Sequence, residues 1–492
     1  MLNVEEIKRL IDEDAISDRK RQARVGQRYY DAEHDILQFR MFYYNTDGLL
    51  VEDKARSNSR ICHPFFTEHV DQLAAFIQSF EENPIQAKPT AEGLQDHLDA
   101  YFDDEFWAEM GEVISGCTIK GFDYLYGYKN HEDRLAFQRA DGMGVVEVRA
   151  QDTDDNCEYV IYWYVERVGR DRKLIKRIQI HDGNQIWFYV QENNEDPVLD
   201  HNQSINPRPN VVWTDKKGQR YGDSLGFIPF WRLDYNEKQH SALKPIKGLI
   251  DDYDLMECGL SNNVQDFDTP IHLVRGFDGD NLNELQQNLK TKKIMGVPSD
   301  GGLDILTIDI PYQARKTKAD EDEKNIYRFG MAFNSAQSGD GNITNVVIRS
   351  RYTLLELKAD KLIRRIKQFL KPIIQVVLDE INSVHGTDYR YTDVVVDFKP
   401  VIPTNEQENA QNALTDAQTQ QMRVNTILNI ATYAGDEQTL KAICDEMDWD
   451  FDELSDQIEK LNEEQNLVNA QTILDGVVTD EQTTEDSSAA IS

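Results

Sequence analysis

Apolar positions change their period several times along this chain, and each change marks an element. From residue 346 to 385 they recur at Tyr352, Leu355, Leu362, Ile366, Phe369, Ile373, Val377 and Ile381. Gaps of three, four and seven place all of them on one face of a helix. Forty helical residues span roughly 60 Å, whereas globular helices average about 11–12 residues. Pro372 falls inside this run, where it removes one backbone donor and crowds the preceding turn, so a kink is expected near residues 368–371. Ahead of the run, residues 335–345 are polar, with Gly339 and Gly341 around Asp340, and read as a flexible loop joined to a long bent lever.

The same reading covers the rest of the chain. Residues 3–44 are expected to be helical, with Ile7, Leu10 and Ile11 on one face, and to carry a basic cluster at 19–24 on a solvated side. Further helices are predicted over 65–77 and 94–115. From Gly116 the period becomes two. Strands are predicted at 121–128, 134–138, 145–149, 159–168, 173–181 and 185–191, with a hairpin turn at Asp182-Gly183 and with 159–165 buried. Residues 192–220 read as loop. A helix over 241–267, capped by Ser241 ahead of Pro245, precedes a small α/β insertion: strands 271–275, 293–298 and 303–310, and a helix over 281–289. A charged helix over 313–333 then leads into the glycine loop. A strand at 391–398 and an acidic helical region, 404–475, complete the pattern. The fold class is α+β.

Composition narrows the function. The 492 residues carry 88 acids and 53 bases, a net charge of −35. Such a surface repels phosphate and cannot grip nucleic acid broadly by counterion release. Five dispersed cysteines argue against a disulfide framework or a zinc site, and suit a reducing compartment. No apolar run is long enough to span a membrane, and the acidic N-terminus is not a secretion signal, so a soluble protein made in a cytoplasm is expected.

Catalytic motifs are sparse. The sequence has neither the Gly-Lys-Ser/Thr of a phosphate loop nor GxGxxG or HExxH. Asp448, Asp450, Asp452 and Glu459 have the spacing of a calcium loop, but Glu453 stands where the tight turn needs glycine. Asp251, Asp252 and Asp254 could in principle hold Mg²⁺ for phosphodiester chemistry, yet on a helix they point in diverging directions. No cofactor or metal is expected. Two functions remain open on these residues: a metal-dependent DNA-processing enzyme, and a scaffold or adaptor that binds proteins and never surrounds DNA.

Taken in order, several segments resemble the portal proteins of tailed bacteriophages, of the type in long-tailed phages of Gram-positive hosts. They are Tyr29-Tyr30 with His34 and Ile36; the stretch from Asn58 to Phe76-Ile77 and Asn83-Pro84-Ile85; residues 121–126; residues 226–230; and residues 241–254 with 262–267. Glu81-Glu82-Asn83 departs from the family, which often has glycine before that proline. The resemblance implies a portal architecture with a mostly helical stem, a long kinked wing helix, a helical crown, a β-rich wing region and a small α/β clip. Residues 1–235 would be wing, 236–267 a stem helix, 268–312 the clip and 313–333 a second stem helix. Residues 334–348 would be a tunnel loop, 349–403 the long kinked helix and a wing strand, 404–475 the crown, and 476–492 a disordered acidic tail. Ser335, Ser338, Gly339, Asp340, Gly341, Asn342, Thr344 and Asn345 would face the DNA channel. The implied assembly is a homo-oligomeric ring, typically of twelve subunits (thirteen when expressed alone), at one capsid vertex of the virion and built in the host cytoplasm. Its implied partners are double-stranded DNA in transit, the large subunit of the terminase motor, the head-tail adaptor, and the major capsid and scaffolding proteins, with no membrane.

Overall fold

The computed structural model describes residues 2–54, 56–130, 134–150, 157–192, 195–214, 220–267, 271–275, 302–306, 312–334, 345–401 and 406–447, with 449, 451, 454 and 460. Helix and antiparallel sheet are mixed, as an α+β chain requires. The chain divides into two compact units, one formed by Met1–Gly341 with Arg349–Ile402 and the other by Asn342–Ile348 with Pro403–Ser492.

Capping residues set the early breaks. Helix α1 (Val4–Ala15) opens with a capping box in which the Asn3 side chain accepts the Glu6 N–H and the Glu6 carboxylate accepts the Asn3 N–H. Helix α2 (Asp18–Tyr30) starts behind Ser17, whose hydroxyl accepts the Lys20 N–H. Residues 3–44 are therefore not one helical region, and their end forms a hairpin of β1 (Phe42–Tyr44) and β2 (Leu50–Glu52). Helix α3 (Phe65–Ile77) and strand β3 (Ile85–Ala87) follow. The expected helix over 94–115 is two, α4 (Leu94–Tyr101) and α5 (Asp104–Lys120), because Asp103 caps a new start by accepting the Phe106 N–H at 3.0 Å.

Strands β4 (Phe122–Lys129), β5 (Leu135–Ala140), β6 (Val145–Arg149), β7 (Cys157–Val168), β8 (Lys173–His181) and β9 (Gln185–Glu192) lie where alternation predicts them. The expected loop over 192–220 carries short strands instead: β10 (Val198–Leu199), β11 (Arg208–Pro209), β12 (Val211–Thr214) and the start of β13 (Arg220–Asp223). With β14 (Phe230–Asp234) the order of one sheet is β14-β4-β5, and that of the larger is β10-β9-β8-β7-β6. The predicted burial of 159–165 holds only in part: Val160 and Ile161 are buried, whereas Val165 is exposed. Ile7 and Ile11 of α1 cover the larger sheet, packing on Val146, Ile161, Ile178 and Trp187.

Helix α6 (Lys247–Phe267) starts six residues later than expected, because Ser241 caps a tight turn by accepting the Leu243 N–H. Strands β15 (Ile271–Arg275) and β16 (Gly302–Leu306) pair antiparallel, and helix α7 (Tyr312–Gly330) follows. The expected helix 281–289 and strand 293–298 lie outside the described residues. Helix α8 (Asn345–His385) is continuous over 41 residues with Pro372 inside it. Pro372 and Gln368 both sit on the exposed face, where the carbonyl that loses its donor is open to water. After a 3-10 turn at Tyr391–Asp393, β17 (Val394–Val396) pairs with β3, a shorter strand than the one expected over 391–398. In the second unit, α9 (Glu406–Ala434) and α10 (Asp436–Met447) meet at Gly435, whose φ of +85° is glycine territory. The tail and the calcium-like Asp448, Asp450, Asp452 and Glu459 lie outside the described residues.

The largest core lies along α8. Of the predicted face, Leu355, Leu362, Ile366, Phe369, Ile373, Val377 and Ile381 are buried and Tyr352 is partly buried, joined by a second row of Ile363, Leu370, Ile374 and Leu378. They pack on Leu73 and Ile77 of α3 and on Phe106, Met110, Val113 and Ile114 of α5. Each such side chain contributes about 1.5–3 kcal/mol relative to exposure. A second core, with Tyr29, Phe66, Val70, Ile119, Leu243, Ile250 and Ile326, joins α2, α3, α5, α6 and α7.

Helices α2 and α5 touch at Gly26, where an added Cβ would stand 2.0 Å from the Ile119 carbonyl oxygen. Backbone cannot yield as a flexible side chain does. Gly26→Ala is expected to cost about 1–3 kcal/mol in urea unfolding; an unchanged midpoint contradicts this packing.

Candidate functional site

Of the eight loop residues singled out in the sequence, Ser335, Ser338, Gly339, Asp340, Gly341, Asn342 and Thr344 lie outside the described residues. Asn345, assigned to the loop by sequence, opens α8 instead. The structure fixes the incoming foot of the segment between α7 and α8. Met331 turns the chain with φ +52°, and the Ala332 N–H returns to the Tyr327 carbonyl at 3.0 Å. The Gln72 side chain of α3 grips Phe333 twice, donating to its carbonyl at 2.8 Å and accepting its N–H at 3.0 Å. The Phe333 ring stacks on Tyr352 of α8 with centroids 4.9 Å apart, so the incoming foot is tied to the outgoing helix. Asn334 donates to Glu323 at 2.8 Å.

Below that foot lies a buried basic pair. Lys358 of α8 donates to the Gly330 carbonyl at 2.9 Å, and burial pulls its pKa down to about 8. His69 packs where a Cβ on Gly330 would stand 2.3 Å from its ring, so only glycine lets α7 end there. Burial, and then the nearby charge of Lys358, lower the His69 pKa to about 3. The imidazole is neutral at physiological pH and serves as packing.

The three aspartates weighed as a metal site separate. Asp251 accepts from the Tyr29 hydroxyl and from Lys247 at 2.7 Å. Asp252 pairs with Lys318 of α7 at 2.6 Å. Asp254 is fully buried between His34 (2.6 Å) and His63 (2.8 Å). Burial works to raise its pKa, but the hydrogen bonds from His34 and His63 outweigh that and hold it below the ordinary value. Among the described residues no group of three or more His, Cys, Asp and Glu is placed to hold a metal ion.

Asp254 is also the inner rung of a ladder that sequence reading missed. An extended segment lies along α6, and its alternate N–H groups donate to side chains four residues apart. Ser57 donates to Asp266 (3.0 Å), Ser59 to Asn262 (2.6 Å), Ile61 to the Cys258 sulfur (3.2 Å) and His63 to Asp254 (3.0 Å). Polar residues every fourth position on the buried side of a helix were the available signal. Helix α7 runs antiparallel to α6: Lys318 meets Asp252, while Arg315 reaches the Met256 carbonyl at 3.5 Å and fits over Gly259. In the basic cluster Arg21 and Arg24 are exposed as expected, but Lys20 is not. Lys20 is fully buried and donates to the carbonyls of Gly142, Met143 and Val145 at 2.6–3.0 Å, rather than being solvated.

An antiparallel helix pair tipped by two strands, beside a long helix and a polar segment with a clamped foot, is a structural scaffold, and comparison with known proteins gives its class. Residues 10–469 match the phage portal proteins, which are virion components. More narrowly, the chain belongs to the family described as phage portal protein, SPP1 Gp6-like. It is similar to the portal protein of Bacillus phage SPP1, 25% identical over 350 residues, covering 70% of this chain and 67% of that one. It is likewise similar to the portal protein of Clostridium phage phiCD119, 23% identical over 449 residues, covering 85% of this chain and 88% of the other. No helix among the described residues is long and apolar enough to cross a membrane.

The ladder predicts a gradient. Asp254→Ala strands two histidines and a backbone N–H in a buried site and should cost about 3–5 kcal/mol. Asp266→Ala, at the half-exposed outer end, should cost about 1 kcal/mol. Urea unfolding of both variants checks this, and equal losses contradict it.

Proposed function

We propose that copies of this chain close into a ring at one capsid vertex, through which double-stranded DNA is packaged and later ejected. The observation that carries this reading is the antiparallel pair α6 and α7, tipped by the β15–β16 ladder, in a chain that belongs to the portal family. Helices of one tilt, repeated around an axis, make a tube wall, and a single heterologous contact closes a ring when its rotation closes. In this assignment α6 and α7 are the stem, and residues 268–312 are the clip. The clip docks the terminase large subunit and then the head-tail adaptor. Residues 1–235 and 349–403 are the wing, and 404–475 the crown.

Residues 335–344, with Asn345 at their end, are the segment that meets DNA. The chain entering them is held at Phe333 by Gln72 and Tyr352. Serine, glycine, asparagine and threonine make short-lived hydrogen bonds to phosphate without neutralising it. A net charge of −35 works in the same direction: the duplex passes and is not retained. The sequence carries no phosphate loop, so the energy comes from the partner motor rather than from this chain. The bend expected at Pro372 belongs to this reading too, letting α8 wrap its core with the exposed proline on the outside. The metal-dependent alternative loses its candidate centre, because Asp251, Asp252 and Asp254 serve three different partners.

The test replaces residues 335–344 by a segment of equal length with four lysines. In a packaging assay with the cognate motor, DNA taken up per head should fall at least ~10-fold at low salt and partly recover as salt rises, since each lysine adds to the counterion-release slope. Packaging at the original rate and salt dependence contradicts the assignment.

A further inference from the structure

Among the described residues, nothing covers the apolar side chains of the β1–β2 hairpin. Phe42, Tyr43, Tyr44, Leu49, Leu50 and Val51 all stand in solvent, from 38% exposed at Val51 to 74% at Tyr44. Successive residues of a strand point to opposite faces, so neither face of this hairpin is turned into a core. Among the described residues, β1 and β2 pair only with each other. The tip is nonetheless well built: the Asn45 side chain accepts the N–H groups of Asp47 (3.0 Å) and Leu49 (2.8 Å), and Gly48 supplies the φ of +74°. A lone two-stranded hairpin is marginal in water. From the exposed fractions, these six side chains present on the order of 600 Å² divided between two faces, so each face offers a few hundred Å², the size at which an apolar patch marks an interaction site.

Its position indicates what covers it. Both legs of the hairpin are tied to the segment that lies along α6. Asn58 and Arg60 donate to the carbonyls of Phe39 and Leu37, and Ser57 and Ser59 donate to Asp266 and Asn262. The hairpin thus stands at the flank of the helix pair assigned to the stem. In a closed ring, the flank of each stem faces the next copy, and a heterologous contact needs no second hairpin opposite the first.

We propose that the β1–β2 hairpin docks on the adjacent copy of this chain and forms part of the contact that closes the ring. The proposal rests on the ring reading above. The hairpin supplies an aromatic and aliphatic insert, of the kind that concentrates binding energy at an interface.

The test uses the full chain with the double substitution Tyr44→Ser and Leu50→Ser. Both side chains face solvent in the single chain, so at a concentration where both proteins are dissociated its thermal melt should match the unsubstituted protein. In sedimentation velocity, the concentration at which rings dissociate should rise at least ~10-fold. Rings that form and dissociate as before overturn the proposal. A benzophenone side chain placed at position 44 in assembling particles provides an independent arm. A cross-link between two copies of this chain supports the inference, whereas a cross-link only to another virion protein, or none between copies, overturns it. Failure of the unsubstituted chain to form rings would instead count against the ring reading, and the cross-link still decides whether the hairpin touches a second copy.

Discussion

A match of two periods holds this molecule's most consequential joint. An extended chain advances about 6.6 Å over two residues, and a helix about 6.0 Å over four. Every second N–H of residues 57–63 can therefore meet every fourth side chain of α6, and four of them do, from Asp266 inward to Asp254. The segment has few apolar contacts of its own, so these bonds fix its path. Through them residues 57–63, the continuation of the hairpin's second strand, are held in register with α6. His34, stacked on Tyr29 at 4.4 Å and bonded to Asp254, adds a clasp from the α2 side.

A second constraint is that a strongly acidic chain uses buried cations as fasteners. Lys20 ties α2 to the carbonyls of the turn before and at the start of β6. Lys120 reaches Asp123 and Asp141, while Arg139 reaches Asp123 at 2.9 Å. Lys358 ties α8 to the end of α7. Taking an ammonium out of water costs several kcal/mol before its partners repay it. What such a contact provides is direction, since the cation accepts only arrangements that bring several oxygens to it. Lys20 and Lys120 fasten α2 and α5 to the strand and turn segments beside them, and Lys358 fixes the end of α7, where the chain enters residues 335–344.

Local signals were legible where one face alone meets the core. The long helix was placed to within one residue because its buried side repeats cleanly and its outer side is charged. Strand β8 was read with its observed bounds for the same reason at period two. Misreadings arose where a cap overrode the pattern, as at Ser17 and Asp103, or where a tight turn preserved helical spacing, as with Leu243 and Ile246 before α6. Lys20 looked solvated because its charge outweighed the neighbouring hint: Ala23 and Gly26 on the same helix are small enough to admit close packing. Of the candidate site, the flanks were legible but the clamp was not. Gln72 meets Phe333 and His34 meets Asp254 across 261 and 220 residues, and no local pattern encodes such pairs.

The central claim is that this joint presents a helix pair which, repeated about an axis, walls a passage for DNA. Electron microscopy of the purified full-length chain tests it most directly. The account predicts end-on views of a closed annulus with an opening that runs through it. Only single chains, or compact particles without an axial opening, would contradict it.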